Sequence, residues 1–265
     1  MARDENTLPE EGTMLCEACG YILTGLPDDS RCPECGQPIS DSSPTLRHLP
    51  DWEIDNTAHT EIRRFWRTTA AVILHPTRFY RTLATRGHRN KSREFARTHW
   101  ILVTLLFGWT GSLQLLWMLG ITSWAGTPAW ARQFYDLSNA GPIGSGLLLA
   151  IIGFLPCCAL TYAVLIGATR LAARLTAWEA RFRNIRLPHD VVLRGLDYHS
   201  PHYLPVAIVA FLTVAGYQLL LVTGILDDLS GPRYLYILCA EVFFAAAYLF
   251  RTYWTGMRNM MFANR

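Results

Sequence analysis

Lysine is nearly absent from this chain: Lys91 is the only one, and arginine carries the rest of the positive charge. Charge of any kind is missing from long stretches. Residues 100–124 hold no Lys, Arg, His, Asp or Glu, only an apolar run loosened by Gly108, Gly111, Ser112 and Gly120. A helix needs about 20 mostly apolar residues to cross roughly 30 Å of hydrocarbon. Buried helices of soluble proteins rarely run this long without a charge, so the absence predicts a membrane span. The pattern returns at about 143–169, 204–226 and 234–250. No secretory leader is expected either, since the acidic residues at the start show no short apolar core before a small-residue cleavage site. Nor are the cysteines scattered as in a secreted disulfide framework. Four lie in one N-terminal segment, while Cys157, Cys158 and Cys239 lie inside apolar runs.

The net charge of +3 describes neither half of the chain. Residues 1–61 are acidic, opposed only by Arg3, Arg31 and Arg47, and the remainder is strongly basic. Positive charge is retained on the cytoplasmic side of a membrane. The segment before the first span is rich in arginine, and loop 125–142 holds only Arg132, against Asp136. Loop 170–203 holds Arg170, Arg174, Arg181, Arg183, Arg186 and Arg194. The turn with Asp227 and Asp228 has only Arg233, and the tail carries Arg251, Arg258 and Arg265. The alternation predicts an integral membrane protein with both termini in the cytoplasm. The cluster Arg86, Arg89, Lys91, Arg93 and Arg97 could suggest nucleic acid. Directly before an apolar span, it reads instead as a topological signal.

Residues 1–13 read as a disordered acidic lead. Residues 14–38 contain Cys16-Glu17-Ala18-Cys19-Gly20-Tyr21 and Cys32-Pro33-Glu34-Cys35-Gly36. In each Cys-x-x-Cys-Gly knuckle a tight turn lets two thiolates grip one ion. Two knuckles close a tetrahedral site with no open position for substrate. A thioredoxin-type dithiol would need a surrounding βαβ unit, for which there is no room. The expectation is a structural Zn2+ held by Cys16, Cys19, Cys32 and Cys35, with iron as the alternative. A segment this small cannot bury enough apolar surface to fold alone, so the metal would supply its folding energy. Residues 39–61 read as a polar linker.

Between residues 62 and 97, Phe65, Thr69, Val72, Ile73, Phe79, Tyr80 and Leu83 recur at helical spacing among arginines. Pro76 interrupts them, so two short amphipathic helices should meet at His75-Pro76. They would lie in the headgroup layer or pack on the cytoplasmic ends of the bundle. Residues 98–265 complete an all-α transmembrane bundle of four spans. Its small residues mark expected helix contacts at Gly108 with Ser112, Gly146 with Gly153, and Gly216. Glu241 is the one carboxylate well inside a span and is a functional suspect by default. Gln218 is its candidate partner.

No catalytic constellation is visible, and the chain is not expected to be an enzyme. Gly144-Ser145-Gly146 invites comparison with the nucleophile of rhomboid-type intramembrane proteases, but no His lies inside a span to serve as base. His189, Asp190, His199 and His202 have no recognised ligand spacing and read as a solvated loop.

The N-terminal knuckles resemble a small zinc ribbon. Cys-x-x-Cys-Gly-Tyr with Leu26-Pro27-Asp28-Asp29 before Cys32 also resembles rubredoxin, which would imply redox-active iron. Rubredoxin has a longer, aromatic-rich stretch between its knuckles, whereas the linker here is short, which favours zinc. Phe65 with His75-Pro76-Thr77-Arg78-Phe79-Tyr80 resembles the opening of the Yip1-type membrane domain. Tyr198-His199-Ser200-Pro201-His202-Tyr203-Leu204-Pro205 resembles that family's entrance to a later helix. A ribbon joined to a membrane domain is similar to a layout common among planctomycete-type bacterial proteins, which implies the bacterial inner membrane as its location. The resemblance implies a non-enzymatic membrane protein of scaffold or trafficking type. Its expected partners are the lipid bilayer, a protein recognised through the ribbon, and a second copy of the chain. A transporter or channel using Glu241 and a rubredoxin-like electron carrier are the alternatives.

Overall fold

The computed structural model describes residues 13–54, 61–124, 141–183, 185, 187–222 and 231–264, the side chains of 116–124, 141–150, 221–222 and 231–232 excepted. The described chain is helical, with isolated bridges and no strand. Its helices are α1 (Glu61–Leu74), α2 (Pro76–Thr82), α3 (Arg89–Trp124), α4 (Gly141–Phe182), α5 (His189–His199), α6 (Tyr203–Val222) and α7 (Gly231–Met260). Lead residues 1–12, most of loop 125–142, Asp227, Asp228, Arg186 and the side chains of Gly144-Ser145-Gly146 lie outside the described residues. So do parts of all the expected spans except the last.

Among the described residues, three helical segments are long and apolar enough to cross a membrane: Ile151–Phe182, His189–Leu220 and Arg233–Met260. Only 6%, 17% and 6% of their most apolar stretches are buried within the protein. Leu155, Leu160, Leu212, Leu219, Phe243 and Phe244 are all well exposed. Apolar faces of this extent are not left to water by a soluble monomer. Lipid is the solvent that suits them.

The residues divide into two compact units. One comprises Trp100–Gly167 and Tyr203–Ala246. Here α3 and α4 cross on small side chains. A Cβ on Gly108 would run into Cys158 Sγ, and one on Gly111 would lie 2.9 Å from Cys157 Sγ. A Cβ on Gly153 would meet Leu115 at 3.3 Å and Ser112 Oγ at 3.5 Å. Close backbone approach of this kind is how helices associate where lipid removes the hydrophobic drive. Cys157 and Cys158 therefore pack the crossing. Gly216 has nothing within 4 Å of where its Cβ would stand, so the helix contact expected there is absent. Tyr217 stacks on Tyr234 at 4.0 Å, and Tyr234 Oη donates to Gln114 Oε1 at 2.6 Å.

The other unit comprises Met1–His99, Ala168–His202 and Ala247–Arg265. Its core is aromatic. Phe65 of α1 meets Trp52, Phe95 and His99 at 5.6, 5.2 and 4.5 Å between ring centroids. Tyr198 of α5 packs on Phe79 and Phe95. Such pairs add about 0.5–1.5 kcal/mol each beyond their buried area. Helices α1 and α2 break at His75, where Pro76 opens the second helix. The α1 face that carries Phe65, Thr68, Thr69 and Val72 is buried in protein.

One sequence expectation is corrected in this unit. Segment 189–202 is not a solvated loop. His189 and Asp190 are exposed at the start of α5, but His199 and His202 are buried, with ring centroids 5.0 Å apart. Val191, Val192 and Leu196 turn α5 inward, and the histidines follow on the same buried face. The linker residues 39–54 form short 3-10 turns at Ile39–Ser42, Pro44–Leu46 and Asp51–Glu53. From the last of these Glu53 points inward, fully buried. Its Oε1 accepts from Arg194 Nη1 at 2.6 Å and Tyr198 Oη at 2.5 Å, and its Oε2 accepts from the His88 amide at 3.0 Å. A charge so deep is tolerated only with this complete set of partners.

Candidate metal centre

The two knuckles are copies of one another, sixteen residues apart. Cys16 N–H donates to Tyr21 O and Cys32 N–H to Gln37 O, both at 2.8 Å. Gly20 N–H returns to Cys16 O and Gly36 N–H to Cys32 O. Leu23 N–H donates to Met14 O, and Ile39 N–H to Ser30 O. Isolated antiparallel bridges pair Leu15 with Ile22 and Arg31 with Pro38. The equivalent Leu23 and Ile39 are buried with Cys16 and Cys32 in one small core. Gly20 and Gly36 have φ of +79° and +73°, a left-handed turn that a side chain resists. That turn carries the next amide to the sulfur behind it: Tyr21 N–H faces Cys19, and Gln37 N–H faces Cys35.

This local symmetry gathers the four sulfurs. Cys16 Sγ lies 3.5 Å from Cys35 Sγ, and Cys19 Sγ 3.6 Å from Cys32 Sγ. All four sit within 4.8 Å of one another. A tetrahedral site with Zn–S bonds of about 2.3 Å has sulfurs about 3.8 Å apart, close to the 3.5 and 3.6 Å of these two pairs and inside the 4.8 Å spread of all four. A disulfide would need about 2.05 Å, and all seven cysteines are free thiols. Burial pushes the Cys19 thiol up to about 12. At Cys32 burial acts the same way, but amides of Cys35 and Glu34 donating to its sulfur bring it down to about 7. Four soft donors with amides directed at them fit a divalent metal of the zinc or iron class. They leave no coordination position for a substrate.

The ribbon is fastened to the rest of its unit rather than hung on a flexible tether. Arg47 Nε and Nη2 each lie 2.8 Å from a different Glu17 carboxylate oxygen. The same guanidinium donates to Leu83 O and Asn259 O, tying α2 and α7 to the first knuckle. Asn264 accepts from Leu15 N–H at 2.9 Å and donates to Leu15 O and Ser42 O. Phe262 lies so close to Gly20 that a Cβ there would meet its ring at 2.7 Å. The sequence reading missed this docking: Glu17, Arg47 and Asn264 belong to no motif. Beside the ribbon a cleft of about 400 Å³ is lined by Glu17, Gln37, Arg81, Trp254 and Arg258 among others.

The intramembrane pair behaves otherwise. Gln218 Nε2 donates to Leu113 O at 2.6 Å, closing a contact between α6 and α3. Both carboxylate oxygens of Glu241 are buried without a hydrogen-bond partner, so the expected Glu241–Gln218 bond is not formed.

No family model, no curated protein and no solved structure matches the chain. The metal centre and the apolar helices stand on their own geometry.

Proposed function

We propose that this chain is a non-enzymatic, four-span protein of the bacterial inner membrane that carries a structural zinc ribbon on its cytoplasmic side for recognition of a protein partner. The observation that carries the reading is the closed sulfur quartet, Cys16, Cys19, Cys32 and Cys35, in a chain whose apolar helices expose their faces. A site filled by four thiolates is suited to folding energy, not turnover. Charge alternation along the sequence supports cytoplasmic termini, and a reducing compartment keeps thiolates available as ligands. The Yip1-type resemblance supports a scaffold or trafficking role in which copies of the membrane unit associate. The cleft with Arg81, Trp254 and Arg258 beside the ribbon is the natural seat for an acidic segment of the partner. A photo-crosslinking residue at Ala18 in intact cells should give one discrete adduct, lost in Cys32→Ser; no adduct, or a smear unaffected by the substitution, contradicts the reading.

A second reading rests on Glu241, whose two buried oxygens lack a hydrogen-bond partner inside an apolar helix. An intramembrane carboxylate of this kind suits a small transporter or channel. Flux in proteoliposomes that Glu241→Gln abolishes would support it, and unchanged flux would remove it. A rubredoxin-like electron carrier is separated by the metal: such a protein is red, whereas the zinc form is colourless.

A further inference from the structure

Trp254 of α7 lines two depressions at once. On one side is the cleft of about 400 Å³ that it shares with Glu17, Arg81 and Arg258. On the other is a narrower groove of about 40 Å³ between α7, α4 and the residues that follow α4. Ala180, Ile185, Leu187, Tyr253, Met257 and Met261 make up most of that groove. Ala180, Leu187 and Met257 are buried, Ile185, Tyr253 and Met261 are half-buried, and Trp254 is 43% exposed. All of these residues belong to one compact unit. Trp254, Met257 and Arg258 share one side of α7 at helical spacing, and Met261 follows directly after the helix.

The charges differ between the two sides of the Trp254 ring. At the cleft, Glu17 is already met by Arg47, and Arg81 pairs with Asp41 at 3.3 Å. Arg258 is exposed and has no ion pair among the described residues, so its charge is the uncompensated one. In the groove the two charged residues, Glu179 and Arg183, pair with each other at 2.9 Å. A guest that is anionic throughout would leave the groove empty. One that is apolar throughout would leave Arg258 unanswered. A segment crossing Trp254 with a carboxylate on the Arg258 side and an aliphatic side chain on the methionine side satisfies both. Unbranched thioethers adjust to the shape of an apolar guest, and Trp and Arg concentrate binding energy at interfaces.

We propose that Trp254, Met257, Arg258 and Met261 form a two-part docking site for a partner segment that carries an acidic residue close in sequence to a bulky aliphatic one. The inference rests on the reading of the ribbon as a partner-binding module, and it names the chemistry of that partner. The test pans phage-displayed random dodecamer peptides against the full-length protein in nanodiscs. Enriched peptides should combine Asp or Glu with a nearby Leu, Ile or Met. Their affinity should fall about tenfold in Arg258→Gln, because a charge-assisted contact is worth at least that factor. Met261→Gln should weaken the same peptides and remove the preference for the aliphatic residue. Arg78→Gln, the same charge change at an exposed arginine outside the cleft, should bind them as wild type does. Equal weakening by Arg78→Gln and Arg258→Gln would overturn the proposal, leaving a diffuse basic surface. So would purely apolar peptides indifferent to Arg258→Gln, the pattern of a groove that lipid fills. A chain that binds no peptide and sediments as a dimer would give the site to a second copy and overturn it too. In cells, the Ala18 adduct should be lost in Arg258→Gln with Met261→Gln. An adduct lost in Cys32→Ser but unchanged in that double variant would keep the ribbon reading and overturn the docking site. Enriched peptides of the expected kind with no adduct in cells would do the reverse.

Discussion

Substituting Glu17 by Gln removes the charge that neutralises Arg47 while preserving shape. The Arg47 side chain is 3% exposed and that of Glu17 is 12%, and the pair is bidentate at 2.8 Å. Breaking a buried pair from one side leaves an uncompensated charge, at a cost of about 3–5 kcal/mol. Asp41→Asn makes the matched change in the Arg81–Asp41 pair, whose side chains are 48% and 43% exposed. Solvent screens that pair, and its loss should cost about 0–1 kcal/mol. The difference would be read as local opening of the ribbon, by hydrogen exchange of the Leu15 amide, which donates to Asn264 deep in the docking surface. Since about 1.4 kcal/mol is a factor of ten, Glu17→Gln should speed that exchange a hundredfold or more, and Asp41→Asn tenfold at most. Replacing both partners together, Glu17→Leu with Arg47→Met, should be milder than Glu17→Gln, because no charge is stranded. If Glu17→Gln and Asp41→Asn behave alike, the clamp does not hold the ribbon.

Gly20→Ala and Gly36→Ala separate backbone strain from crowding. Both impose a side chain on left-handed φ, worth about 1–2 kcal/mol, but only at Gly20 does the new Cβ meet the Phe262 ring. Thermal melts in detergent should fall further for Gly20→Ala; equal falls would refute the packing of Phe262. Lowering the pH protonates thiolates, so zinc affinity should drop steadily as pH falls, in competition titrations with a chromogenic chelator. A pH-independent affinity would contradict four-thiolate ligation. Gly108→Leu should separate α3 from α4 at Cys158 and lower the yield of folded protein, whereas Gly216→Leu, in open space, should not. Reporters fused to the two tails should both remain cytoplasmic.

The metal ligands were legible because their chemistry is local: two thiols three residues apart, a glycine after each, and the motif repeated. The apolar segments were legible because lipid imposes a length and forbids charge. What escaped the sequence depends on partners distant along the chain. Glu53 looked like one more acid in a polar linker, yet it is buried because Arg194, 141 residues away, comes to meet it. His199 and His202 show no ligand spacing and so read as part of a solvated loop, but the Val191, Val192, Leu196 stripe turns α5 inward. The Glu241–Gln218 pairing was drawn from polarity alone, and the structure satisfies Gln218 with a backbone carbonyl instead. Docking of the ribbon hangs on Asn264, whose partners lie more than two hundred residues earlier.

Metal analysis of full-length protein extracted from membranes tests the account most directly. It predicts one zinc ion per chain in a colourless sample, lost when Cys16 and Cys32 are replaced by Ser. A metal-free ribbon, or a red protein carrying iron, would contradict it.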